Sequence, residues 1–183
     1  VFEEVTGRSV TLEDVERNHH PDLAADVTVV TATDGNHGRS VAWGAERFGC
    51  GCVIHMHEQV SLGRQAAVEA FGATVRRVPG NYDDSVRAAA RDAALNGWFV
   101  VSDTSWPGYE DIPRSVMAGY TVMSSEAMEQ WPLDAPPTHV FLQGGCGGMA
   151  AAIGIDLWSR SGEDRPRIVI VEPEPAACLY ESA

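Results

Sequence analysis

Three short stretches of this chain carry residue types that do chemistry. The first, Thr31-Ala32-Thr33-Asp34-Gly35-Asn36-His37-Gly38-Arg39, sets a carboxylate, an amide, an imidazole and a guanidinium around two glycines. Asp and His carry protons, Asn both donates and accepts hydrogen bonds, and glycine lets another group approach the backbone closely. The second, Gly144-Gly145-Cys146-Gly147-Gly148, offers a run of backbone N–H groups with almost no side chain in the way. That is the composition of a phosphate cradle. The third, Asp103-Thr104-Ser105-Trp106-Pro107-Gly108-Tyr109, places a carboxylate in an aromatic loop, where it can bind an ammonium group or move a proton. Each has a plainer alternative: a capped turn, a glycine-rich turn with no ligand, and a loop cap.

These stretches need rigid elements to hold them. Val27-Thr28-Val29-Val30 is a β-branched apolar run that predicts a buried strand over 27–31. Val41, Ala42, Ala45 and Phe48 then recur at helical spacing up to Gly49, which predicts a helix over 36–48. The first motif is therefore a strand-to-helix turn, with Asp34 or Asn36 expected to cap the helix. The alternation continues with strand 52–56, helix 61–71 stopped by Gly72, and strand 74–78. Gly80 to Asp84 reads as a turn and cap for helix 85–95, which Asn96-Gly97 ends before strand 98–101. Strands alternating with helices of about a dozen residues predict an α/β protein, a parallel sheet with helices on its faces.

The rhythm breaks over residues 102–113, a polar and aromatic loop, and a helix over 115–130 follows. It then resumes with strand 139–142, the glycine loop, helix 149–158 and strand 168–171. A boundary is expected near 105–115, dividing 1–111, with the first turn, from 112–183, with the glycine loop. At the start of the chain, Ser9 or Thr11 is suited to cap a short helix over 12–15 that Pro21 would end.

Composition narrows the function classes. With 183 residues, 44% hydrophobic and 21% charged, the chain can bury a real core. A net charge of −13 argues against a nucleic-acid or anionic-membrane partner. No apolar run approaches the roughly 18 residues of a membrane span. Cys50, Cys52, Cys146 and Cys178 lack the paired spacing of a zinc site, so no metal is expected and a reduced, cytoplasmic compartment is. Every one of the 13 basic residues is arginine, which excludes a nucleotide loop that needs a lysine after its glycines. The spacing is also wrong for a dinucleotide fingerprint, so the glycines suit a single phosphate monoester better than a pyrophosphate.

Taken together, the motifs resemble those of the fold type II enzymes that use pyridoxal 5′-phosphate, the threonine dehydratase and tryptophan synthase β-chain relatives. Thr33-Asp34-Gly35-Asn36-His37-Gly38 looks like their Ser-x-Gly-Asn-His turn, and Gly144–Gly148 matches their cofactor-phosphate cradle. Asp34 stands where that family usually has serine or threonine. This exchange resembles the diaminopropionate ammonia-lyase branch. So do Ala42-Trp43, Asn81 to Arg87, Asp103 to Trp106 with Gly108-Tyr109, Pro137 to Val140, and Val171-Glu172-Pro173.

The resemblance implies two subdomains with parallel sheets in three αβα layers, and an α,β-elimination of 2,3-diaminopropionate to pyruvate and ammonia. It also implies a homodimer with a small amino-acid substrate. Asp34 would then be the base for the D-isomer, and Asp103 would contact the substrate's amino end. Asn36 would touch the cofactor, Gly144, Gly145, Cys146, Gly147 and Gly148 would hold its phosphate, and Thr33, Gly35 and His37 would bind substrate. His37 has a second reading as a packed residue of the turn, and Glu172 as an ordinary strand end.

One feature departs from the family. The reaction needs a lysine bonded to the cofactor, and these 183 residues contain none. The chain therefore reads as a fragment, inactive by itself, of a longer parent. The alternatives are a serine/threonine dehydratase-like lyase and a non-catalytic relative that binds a phosphate ligand.

Overall fold

The computed structural model describes residues 11, 13, 14, 17, 21–132 and 136–183. It divides into two compact units, one ending at Ser102 and the other spanning Asp103–Ala183. The expected boundary at 111/112 lies nine residues further on.

In the first unit, α1 (Pro21–Asp26) leads into β1 (Thr28–Ala32), α2 (Asn36–Phe48), β2 (Gly51–His57) and α3 (Leu62–Glu69). β3 (Thr74–Val78), α4 (Tyr82–Asn96) and β4 (Phe99–Val100) complete it. The four strands form one sheet in the order β3-β2-β1-β4, and every pairing is parallel. Strand β2 is buried from Cys52 to Met56, as a strand covered on both faces must be. Its alternation sorts the core. Ile54 and Met56 join Ala42, Ala45, Val60 and Val68 from the α2 and α3 side. Val53 joins Val30, Ala89 and Ala93 from the α4 side.

Local chemistry sets the helix ends. Gly49 and Gly97 close α2 and α4 in the left-handed region, at φ 74° and 69°. Helix α4 starts a turn earlier than its apolar spacing suggests, because Asn81 and Asp84 form a reciprocal capping box. The Asp84 carboxyl lies below its usual range, chiefly through the Asn81 backbone N–H and then Arg87. Pro21, expected to end a helix, instead opens α1, where its missing N–H costs nothing. The short helix expected over 12–15 falls partly outside the described residues, as does Ser9. Thr11 does act as a cap there, accepting from the Asp14 N–H at 3.1 Å.

One polar cluster lies inside this unit. Buried His55 on β2 pairs through Nε2 with Asp92 of α4 at 2.9 Å, and Arg76 of β3 also donates to Asp92. Arg76 stacks over the Trp98 ring, 5.2 Å from its centroid. Burial pushes His55 below its usual value even though the Asp92 contact pulls it up. For Asp92, burial pushes up, but the bonds from His55 and Arg76 outweigh it and hold the carboxyl low.

The second unit contains α5 (Asp111–Gln130), β5 (His139–Gln143), α6 (Gly148–Ser161), β6 (Arg167–Val171) and α7 (Cys178–Ser182). β5 and β6 pair in parallel. Leu142, Ala150, Ile153 and Leu157 form its core, with Tyr120 and Met128 of α5 packed on it. Helix α5 starts at Asp111, before the expected 115, with Pro113 in its first turn, where no intrahelical N–H bond is lost. Ser124 of α5 donates to Asp156 of α6 at 2.5 Å, and Arg160 donates to the other oxygen at 2.9 Å. The Ser124 bond is the main reason the Asp156 carboxyl lies below its usual range.

Candidate active site

The first motif occupies the carboxyl end of β1. Strand order places β2 on one side of β1 and β4 on the other, so the chain reverses its winding direction between β1 and β4. Crevices at such a switch point are where open α/β sheets bind ligands. Thr33 is buried, and its hydroxyl accepts from the N–H groups of Gly35 at 3.1 Å and Gly38 at 3.2 Å. This corrects the expectation that Asp34 or Asn36 caps the helix. The N-cap position is Gly35, no side chain caps from it, and the hydroxyl two residues earlier takes over. Among the described residues the N–H groups of Asn36 and His37 have no acceptor, which leaves an anion-binding helix start.

The side chains of the turn divide by role. His37 Nε2 donates to the Val101 carbonyl at 2.8 Å, tying the turn to the end of β4. Asn36 is exposed and lines a cleft with Arg39, Ser40, Trp43 and Phe71. Gly38 touches Thr33 so closely that a Cβ there would overlap the threonine methyl, so a larger residue would have to displace the buried Thr33 side chain. The Asp34 carboxylate meets His57 Nε2 at 3.1 Å, and the Asp34 carbonyl accepts from Arg64 at 3.2 Å. His57 was missed in the sequence because it reads as the tail of an apolar strand. The available signal was its position at the carboxyl end of a strand adjoining β1.

The second unit holds the glycine loop between β5 and α6. Gly144 N–H donates to the Val171 carbonyl at 2.8 Å. A Cβ at Gly144 would strike the Glu172 side chain. Gly147 sits at φ 87°, and a Cβ there would lie 2.9 Å from Leu179 Cδ2. Among the described residues the N–H groups of Gly145, Cys146, Gly147 and Gly148 find no acceptor. Glu172 accepts from the N–H groups of Leu179 and Tyr180, at 2.9 and 3.0 Å, so its carboxylate caps α7 behind the loop.

The loop lines a cavity of about 120 Å³ shared with Asp103, Met117, Tyr120 and Gln143. Burial pushes the Tyr120 phenol up, with Asp103 and Cys146 adding to the effect. Tyr120 was not singled out in the sequence, since an aromatic at helical spacing reads as core. Four unpaired N–H groups at a helix start fit the phosphate monoester of pyridoxal 5′-phosphate, with room for it and the helix dipole behind it. Cys52 is buried, and burial together with Cys50 pushes its thiol up to about 12; Cys146 and Cys178 are exposed. Among the described residues no His, Cys, Asp and Glu side chains cluster as a metal site would require. No described helix is long and apolar enough to cross a membrane.

The family profile described as "Pyridoxal-phosphate dependent enzyme" matches residues 7–183. The chain belongs to this family. Its relatives include the diaminopropionate ammonia-lyase of Salmonella typhimurium, 44% identical over 160 residues, covering 86% of this chain and 40% of that protein. L-threonine dehydratase of Escherichia coli is 29% identical over 151 residues, covering 82% of this chain and 27% of that protein. Among solved structures, Escherichia coli diaminopropionate ammonia lyase in complex with an aminoacrylate-PLP azomethine reaction intermediate superposes with a TM-score of 0.80. It is 41% identical and covers 85% of this chain and 41% of that one. The chain thus spans about two fifths of the length of the ammonia-lyases it matches. Fold type II architecture, expected from the motifs, is what those structures share with it.

Proposed function

We propose that this chain is part of a lyase that eliminates ammonia from 2,3-diaminopropionate and, with water, yields pyruvate and two ammonia molecules. The observation that carries the reading is the cavity where an anion-binding loop and the Asp103 carboxylate face one space. An anion cradle beside a carboxylate suits a ligand assembly with a phosphate at one end and an ammonium at the other. Bound pyridoxal phosphate would supply an electron sink for the carbanion formed at Cα.

The chain's own residues do the rest in this reading. The N–H groups of Gly145 to Gly148 hold the phosphate, and Asn36 contacts the cofactor. The free N–H groups at the start of α2, with Thr33, Gly35 and His37, receive the substrate carboxylate. Asp34 takes the Cα proton of the D-isomer. Asp103 holds the β-ammonium and assists its departure. The enzyme works as a cytoplasmic homodimer, a reading supported for the dimer by the family resemblance and for the compartment by the four free cysteines. These 183 residues contain no lysine, so the chain by itself is expected not to turn over.

Turnover of D- and L-2,3-diaminopropionate by the full-length protein tests the assignments. Asp34→Asn is expected to lower kcat for the D-isomer by about 100-fold, the scale of a lost general base. Asp103→Asn is expected to impair both isomers. Unchanged D-isomer turnover in Asp34→Asn contradicts the role of the base.

A further inference from the structure

The Asp34 backbone is held from two directions. The Thr33 hydroxyl binds the N–H groups on its far side, and Arg64 binds its carbonyl at 3.2 Å. Neither contact fixes the carboxylate, whose side chain is 48% exposed and free to rotate unless something restrains it. The restraint comes from β2. His57 is its last residue, its side chain 16% exposed, with Nε2 3.1 Å from Asp34 Oδ1. The other ring nitrogen decides what kind of contact this is. Nδ1 accepts the Gln59 backbone N–H at 3.3 Å, so it carries a lone pair and no proton. The proton therefore sits on Nε2, and the ring is a neutral donor to the carboxylate. A neutral donor orients a base without cancelling its charge.

We infer that His57 is the positioning residue for Asp34, its Nε2–H holding Oδ1 so that Oδ2 is presented to the substrate's Cα proton. The inference rests on the reading of Asp34 as the D-isomer base. The backbone N–H of Gln59 fixes the tautomer, and the parallel pairing of β1 with β2 brings the two strand ends side by side. No charge or covalent bond changes at His57 during turnover. Its contribution is geometric, and it applies to the isomer whose proton Asp34 removes.

The test uses the full-length protein with His57→Phe, His57→Gln and Asp34→Asn, assayed on both isomers of 2,3-diaminopropionate. The expected result is a fall of about tenfold in the D/L ratio of kcat for His57→Phe, below the ~100-fold scale of a 1 Å misplacement. His57→Gln, whose amide can donate to Asp34, is expected to restore the ratio to within about threefold of wild type. A structural defect lowers both isomers together and is not rescued by the amide. An unchanged D/L ratio in His57→Phe, with Asp34→Asn still selective against the D-isomer, overturns the inference and leaves the base intact. Unchanged D-isomer turnover in Asp34→Asn overturns the reading and the inference with it. A long-range proton–nitrogen spectrum of the wild-type protein gives a readout independent of turnover: the Nε2–H tautomer of His57 is expected, and the Nδ1–H tautomer overturns the inference.

Discussion

At the residue scale, the candidate site is built from backbone donors that small residues leave accessible. Thr33 spends its hydroxyl on two N–H groups, so those of Asn36 and His37 stay open. In the glycine loop the requirement is steric as much as polar. Gly147 lies in the left-handed region with Leu179 packed against it, and Gly144 is pressed by Glu172. Alanine at Gly147 would add a conformational cost of about 1–2 kcal/mol and a collision with Leu179. Gly147→Ala is expected to weaken pyridoxal phosphate binding by the full-length protein about tenfold, measured by absorbance titration. Unaltered affinity would mean that the phosphate sits elsewhere. Much of this was legible. The glycines, Asp34 and Asp103 announce themselves by type and spacing. His57 and Tyr120 do not, since each gains its meaning only from a neighbour distant in the chain.

At the element scale, the strands and the longer helices followed from periodicity with errors at their ends, while α1 and α7, too short to show a period, were not predicted. Helix α2 runs from Asn36 to Phe48 as its spacing predicts, because Gly49 supplies a left-handed stop. The starts of α4 and α5 move earlier because caps and first-turn residues, Asn81 and Pro113 among them, carry no apolar signal. Polar groups between elements were invisible too. The His55–Asp92 bond joins β2 to α4, and its pH dependence can be worked out. Burial lowers His55 in the folded unit, so below the unfolded value of about 6.5 the unfolded chain takes up the proton first. Stability contributed by neutral His55 is therefore complete above pH 6.5 and declines as pH falls toward the lower folded value. Melting temperatures between pH 7 and pH 5 are expected to fall more steeply in wild type than in His55→Gln, which keeps a donor for Asp92 but cannot titrate. Equal slopes would contradict it.

At the scale of the whole molecule, each of the two units carries a candidate site: a switch-point turn with Asp34 in one, and a glycine loop beside Asp103 in the other. The α/β class and the family were readable because the turn and the loop are short motifs with fixed backbone demands. The division at Ser102/Asp103 was not, since the polar, aromatic stretch beyond it contains residues that pack as part of the second unit, as Asp103 does beside the glycine loop. The lack of lysine, in contrast, is plain from composition and restricts what these 183 residues can do unaided. The decisive measurement is pyruvate release by the full-length protein, loaded with pyridoxal phosphate and offered 2,3-diaminopropionate, serine and threonine in parallel. The expected kcat/KM for diaminopropionate is at least about tenfold above that for the hydroxy amino acids, since the proposed partner of the β-ammonium, Asp103, would be left without it. Turnover of serine or threonine with none of diaminopropionate would contradict it.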